Sequence, residues 1–179
     1  MAKKILKWIL TIFGAAAAMW ALLLGAICLM FWFAFPDEQP PYEPQPDGYW
    51  QKVISKEIAL DVRDSEVLYE MDTHGGFLGD GKTTIVLRMN GSLTDAIAGD
   101  FLWHELPLPK ELRLGVFRDE KGNRLIGEIE NGYYFFLDRH SEAEDVFDPS
   151  DLDKRASRNY SFAVYDADEN ILCFYALDT

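Results

Sequence analysis

The chain has 179 residues, and its 17 Lys+Arg against 30 Asp+Glu give a net charge of −13 at pH 7. That balance disfavours a nucleic-acid partner, because binding there starts with basic side chains on phosphates. Two cysteines are too few for a disulfide-stapled secreted fold.

Lys3, Lys4 and Lys7 precede a run from Trp8 to Phe35 with no charged residue. A helix needs about 20 apolar residues to cross a bilayer, so residues 1–35 are predicted to be a cytoplasmic tip and a single transmembrane helix. The lysines flank one end and Asp37 and Glu38 the other. Positive charge stays inside, which places the N-terminus in the cytoplasm and the rest of the chain outside the cell membrane. A cleaved signal peptide would have an apolar core of about 7–15 residues ending at a small-x-small site. Here the apolar run continues well beyond the alanines at 15–18, which favours an uncleaved anchor.

Residues 36–48 contain five prolines. Proline fixes φ and favours an extended chain, so this segment is read as a semi-rigid stalk. The three lysines near the N-terminus leave 14 basic residues against all 30 acidic ones beyond residue 35, a net charge of −16. Such acidity suits cations or a basic protein partner as well as plain solubility.

Residues 49–179 amount to one domain. Trp50, Val53, Ile54 and Ile58 recur at helical spacing, predicting a short helix between Trp50 and Leu60. Runs from Glu66 to Asp72 and from Thr83 to Met89 are rich in strand formers and flank a glycine loop, as paired strands do. A short helix is expected from Leu93 to Ala98, and Pro107 and Pro109 force an extended passage. Five strand-like runs follow: Leu112 to Phe117, Leu125 to Glu130, Tyr133 to Leu137, Tyr160 to Tyr165 and Ile171 to Leu177. Asn131-Gly132 reads as a hairpin turn. Another short helix is expected from Ser150 to Ala156. The sum is an α+β fold: a transmembrane helix, then a mainly antiparallel sheet with a few short helices.

Several motifs resemble chemistry. The stretch from Gly76 to Thr83 spells the phosphate-loop pattern GxxxxGK[ST]. That mechanism needs a helix after the loop; a strand-like run follows instead, so no nucleotide is expected. Asp166, Asp168 and Asn170 open like a calcium loop, but Ile171 and Leu177 stand where Gly and Glu belong. Asp72, His74 and Asp80 share one loop, and a carboxylate with an imidazole can hold a metal, act as acid and base, contact a ligand or simply brace the loop. Arg139 and His140 stand in a charged cluster at a strand end. These five are the candidate ligand-binding residues; no catalytic residue, metal site or cofactor is assigned.

Asp72-Thr73-His74-Gly75-Gly76-Phe77, Gly79-Asp80-Gly81, Gly132-Tyr133-Tyr134-Phe135-Phe136 with Asp138-Arg139-His140, Tyr165-Asp166 and Leu177-Asp178-Thr179 resemble a family of small uncharacterised Firmicutes proteins. Its members carry an HGGFxGDG loop and end in LDT. The resemblance spans most of residues 65–179. It implies a bacterial surface or membrane location and supplies no activity. Leu78 departs from the histidine of the family pattern. The expected role is binding of a protein at the cell surface, of the immunity or inhibitor type. The alternative is a cation-dependent enzyme or ligand-binding module built on Asp72, His74 and Asp80.

Overall fold

The structure, a computed structural model, describes residue 14 and residues 19–30, 43–74 and 80–179. The chain divides into two compact units, Met1–Pro41 and Tyr42–Thr179.

In the first unit residues 19–30 are helical. Met19, Trp20, Leu22, Leu23, Leu24, Ile27, Leu29 and Met30 are all exposed. Among the described residues no helix is long and apolar enough to cross a membrane. Most of the rest of the predicted span, and residues 36–42 of the predicted stalk, lie outside the described residues.

The second unit is α+β, with one six-stranded sheet in which every neighbouring pair is antiparallel. Its strands are β1 (Ser65–Asp72), β2 (Gly81–Met89), β3 (Trp103–Glu105), β4 (Gly132–Asp138), β5 (Tyr160–Asp166) and β6 (Ile171–Asp178), in the order β1-β2-β6-β5-β4-β3. Helix α1 (Tyr49–Glu57) places Trp50 and Ile54 on the stripe that Ile58 continues, and α2 (Thr94–Ala98) adds Ile97.

Side chains alternate across a strand, and here both faces are covered. Ile85, Leu87, Ala163, Tyr165, Leu172 and Phe174 point to one face and pack against α1, Leu93 and Ile97. Val86, Phe162, Val164, Cys173 and Tyr175 point to the other and pack against Leu112, Phe117 and Leu152. The first cover is helical. The second is largely irregular chain carrying two 3-10 helices, at Leu114–Val116 and Pro149–Lys154, and an isolated antiparallel bridge between Arg118 and Arg124. Phe117 stacks on Phe162, with ring centres 5.4 Å apart and planes at 30°.

Three predicted elements are corrected. The runs from Leu112 to Phe117 and from Leu125 to Glu130 are not strands. They lend Leu112, Phe117, Leu125, Ile126 and Ile129 to the second core from non-strand backbone. Asn131-Gly132 therefore joins no hairpin. Gly132 opens β4, and a Cβ there would sit 2.2 Å from the carbonyl oxygen of Tyr165. The glycine is required by the close approach of β4 to β5. The short helix expected from Ser150 to Ala156 is present as a 3-10 helix over Pro149–Lys154. Strand β3 has no counterpart in the predicted elements.

The β5–β6 turn is locked by side chains. Tyr165 Oη donates to Asn170 Oδ1 (2.6 Å) and accepts from Leu93 N–H (3.1 Å). Asn170, left-handed at φ 56°, donates through Nδ2 to the Met89 carbonyl (2.7 Å). Asp166 caps the same turn by accepting from the backbone of Asp168 and Glu169. The segment that opens like a calcium loop is thus a hairpin turn, as the misplaced Ile171 and Leu177 imply.

Gly132→Ala should lower unfolding stability by about 2 kcal/mol or more, since backbone cannot yield cheaply; chemical denaturation measures it, and an unchanged midpoint contradicts the close approach. Burial pushes the Cys173 thiol up from 9.0 to about 12, with the Asp166 charge adding to it. The folded state therefore holds that proton more tightly, so this stabilisation is intact below pH 9 and is lost as pH rises towards 12. The stability advantage of the native chain over Cys173→Ala should shrink across that window, as read by unfolding at each pH.

Candidate functional site

Strand register assembles one end of the sheet. Asp72 pairs with Thr83, Gly81 with Asp178, Leu177 with Tyr160, and Tyr160 with Asp138. The ends of β1, β6 and β4 and the starts of β2 and β5 therefore lie in a row.

His74 sits across this row. A Cβ on Gly81 would fall 2.6 Å from His74 Cα and 2.9 Å from its Cγ. Only the bare glycine backbone lets the imidazole lie over β2 and reach from β1 to β6. His74 N–H donates to Asp72 Oδ1 (3.0 Å), a local turn that fixes the residue. The ring Nδ1 lies 2.5 Å from Asp72 Oδ1 and Nε2 lies 3.0 Å from Asp178 Oδ2. Thr83 Oγ1 donates to Asp72 Oδ1 (3.3 Å). A ring that carries both protons donates to both carboxylates at once, whereas a neutral ring has a single N–H.

The chain of contacts continues. Asp178 Oδ1 meets Arg139 Nη1 at 3.1 Å. Arg139 Nη2 donates to the carbonyls of Tyr160 (3.3 Å) and Leu177 (3.4 Å), and its Nε lies 3.6 Å from Glu57 Oε1 at the end of α1. Glu57 Oε1 accepts from Ser161 Oγ (2.6 Å). These ion-pairing side chains are half-buried.

A second cluster adjoins the end of β4. Asp138, 2% exposed, pairs with Arg155 through Nη2 and Nη1. The Asp138 carboxylate holds the Arg155 guanidinium above its ordinary pKa. Asp138 also accepts from His140 N–H (2.9 Å). His140 Nδ1 accepts from Glu142 N–H (3.2 Å), which assigns its proton to Nε2 and a donated bond to Ser157 Oγ (3.1 Å).

Of the five residues singled out from sequence, Asp72, His74 and Arg139 share one network. His140 belongs to the second cluster. Asp80 is exposed and makes no hydrogen bond or ion pair among the described residues, so the trio Asp72, His74 and Asp80 is not brought together. Asp178, Glu57, Ser161 and Thr83 complete the network and were not singled out as site residues. Asp178 had a signal in the C-terminal LDT, and Thr83 one as the last residue of the phosphate-loop pattern. Among the described residues no group of three or more His, Cys, Asp and Glu is placed to hold a metal ion. The residues after the phosphate-loop pattern form β2, so Lys82 and Thr83 stand on a strand and not at a helix N-terminus. Residues 75–79 of the glycine loop lie outside the described residues.

Chemically, the arrangement is self-satisfied. Each ring nitrogen of His74 faces a carboxylate, Asp178 is shared between His74 and Arg139, and Arg139 ties four segments together. No protein-family model matches the chain, and comparison with curated proteins and with solved structures returns no match.

Asp178→Ala cuts both the His74 and Arg139 contacts. It should cost about 1–2 kcal/mol, the value of half-exposed charge-assisted bonds. A double-mutant cycle with His74→Ala should return a coupling of about 0.5–1.5 kcal/mol; zero coupling would show that the imidazole does not bridge the strands.

Proposed function

We propose that the chain is a single-pass bacterial membrane protein whose exterior domain binds a protein partner at the cell surface, in the manner of an immunity protein or inhibitor. The anchor reading is supported by the uncharged run from Trp8 to Phe35, the three lysines before it, and the exposed apolar side chains of helical residues 19–30. The location outside the membrane is supported by the charge asymmetry across that run and by the resemblance of the glycine loop and C-terminal LDT to a family of small uncharacterised Firmicutes proteins, which implies a bacterial surface or membrane location. The net charge of −16 beyond residue 35 favours a basic partner.

The observation that carries binding over catalysis is the occupation of His74. A general base needs a free lone pair within reach of its substrate. Both nitrogens of His74 instead lie within 3.0 Å of Asp72 and Asp178 carboxylates. A brace of this kind holds a strand end in place and leaves recognition to other surfaces.

Two measurements test the proposal. Alkaline phosphatase fused after Thr179 should be active in a bacterial host, and a green fluorescent protein fused there should stay dark; the reverse pattern overturns the topology. Cells expressing the full chain should survive an exported toxin encoded beside its gene. Unprotected cells sink the immunity version.

A further inference from the structure

The sheet has two edges. One is the three-residue β3, and the other is the eight-residue β1, whose outer side pairs with no strand among the described residues. A groove of about 480 Å³ runs between β1 and the segment that leads into α1. Its strand side consists of the four consecutive residues 67–70. β1 is the edge strand, and the facing segment belongs to no strand and donates Gln45 N–H to Glu70 Oε1 (3.2 Å), so the groove runs along the open side of the sheet.

Three features of the groove point to what it takes. The pairing of β1 with β2 steps from Val67–Leu87 to Tyr69–Val86. Leu68 is the extra residue of this bulge and is 38% exposed. The facing wall holds Trp50 and Gln51, which are 6% and 8% exposed. Trp50 Nε1–H, a donor, and Gln51 Oε1, an acceptor, have no hydrogen-bond partner among the described residues. Gln51 Nε2 is taken by the Ser65 carbonyl at 3.2 Å, which leaves Oε1 over. Buried polar groups are rarely left unmet, and a peptide group supplies an acceptor and a donor together. The lining includes Asp47 and Glu70 and no lysine or arginine.

We infer that this groove takes an extended basic peptide segment of a protein partner, laid along β1 as a seventh strand. One apolar side chain rests on Leu68, the peptide's main chain pairs with the open side of β1, and the wall opens to bring its amides to Trp50 Nε1–H and Gln51 Oε1, which are closed to solvent in the free chain. Adding a strand to a sheet edge draws affinity from main-chain bonds and specificity from alternate side chains. The bulge divides the edge into two short stretches, which discourages indiscriminate sheet-to-sheet pairing. The inference rests on the protein-binding reading above and adds the place and the partner's chemistry.

The test uses the full chain in detergent micelles at about 0.15 M salt, where exposed charge is screened within about 8 Å. Three dye-labelled, end-blocked hexapeptides serve as probes: alternating Lys-Val, alternating Glu-Val, and the Lys-Val peptide with proline at its third position. Fluorescence polarisation should show saturable binding of the Lys-Val peptide alone. Leu68→Arg should weaken it at least tenfold. Trp50→Phe, which keeps a ring and removes the N–H, should weaken it about fivefold. Absent binding, equal binding of the Glu-Val or proline peptide, or binding indifferent to both substitutions each overturns the groove. If Leu68→Arg chain still protects cells from the toxin, the groove is overturned and the protein-binding reading stands. If the unsubstituted chain fails to protect but binds the Lys-Val peptide as described, the groove stands and the immunity reading falls.

Discussion

Strands β5, β6 and β2 are apolar on both sides, and a sheet built around them needs cover on both faces. An antiparallel sheet commonly leaves one face to water, but β5 is buried from Tyr160 to Asp166. Burying an aromatic or large aliphatic side chain is worth roughly 1.5–3 kcal/mol, so neither face can be left wet. The chain meets this demand with α1 and α2 on one side. On the other it uses the long connections before β4 and before β5, which carry Leu112, Phe117 and Leu152. Regular structure is not needed in a cover; apolar side chains at the right places are.

Burial in the middle sends the polar groups to the ends and edges. At one end, five strand termini bring carboxylates together, and the Arg139 guanidinium and the His74 ring lie between them. The position of His74 depends on Gly81, where any side chain would collide with the histidine backbone. At the opposite end Asn170 and Tyr165 perform the matching task, tying the β5–β6 turn to β2 and to Leu93. The central hairpin is thus fastened at both ends.

Much of this fold was legible locally. β1, β2, β4, β5 and β6, α1 and α2 all stand out by alternation, helical spacing or turn residues. Strand β3 did not, because three residues carry no period. The runs after Leu112 and Leu125 have the composition of strands, yet both sides of β4 are taken by β3 and β5, which leaves no edge there for them to join. Composition reports that a segment is buried; it does not report whether a pairing partner is free. The site divides in the same way. Asp72 and His74 are two residues apart and meet through a local turn. Asp178 is 104 residues from His74, and their contact follows only from strand order. Glu57 looks like the solvated end of a short helix until α1 is laid across the start of β5, where Ser161 reaches it.

The His74 network and the β1 groove are opposite in character, and that difference bears on function. A brace meets its own donors and acceptors, while a binding surface leaves some unmet until a partner arrives. The His74 row is of the first kind and the groove, with its idle indole N–H and amide oxygen, is of the second. The two meet on β1. Among the described residues this strand has one neighbour, β2, so its outer half depends on few contacts, and the bulge at Leu68 weakens the ladder further. The Asp72–His74–Asp178 bridge ties the far end of β1 past β2 to β6, two strands inward. An edge held in this way loses less freedom when a peptide docks, and affinity rises as that loss falls. The histidine would then serve recognition by stiffening the strand that does the recognising, without touching the partner itself.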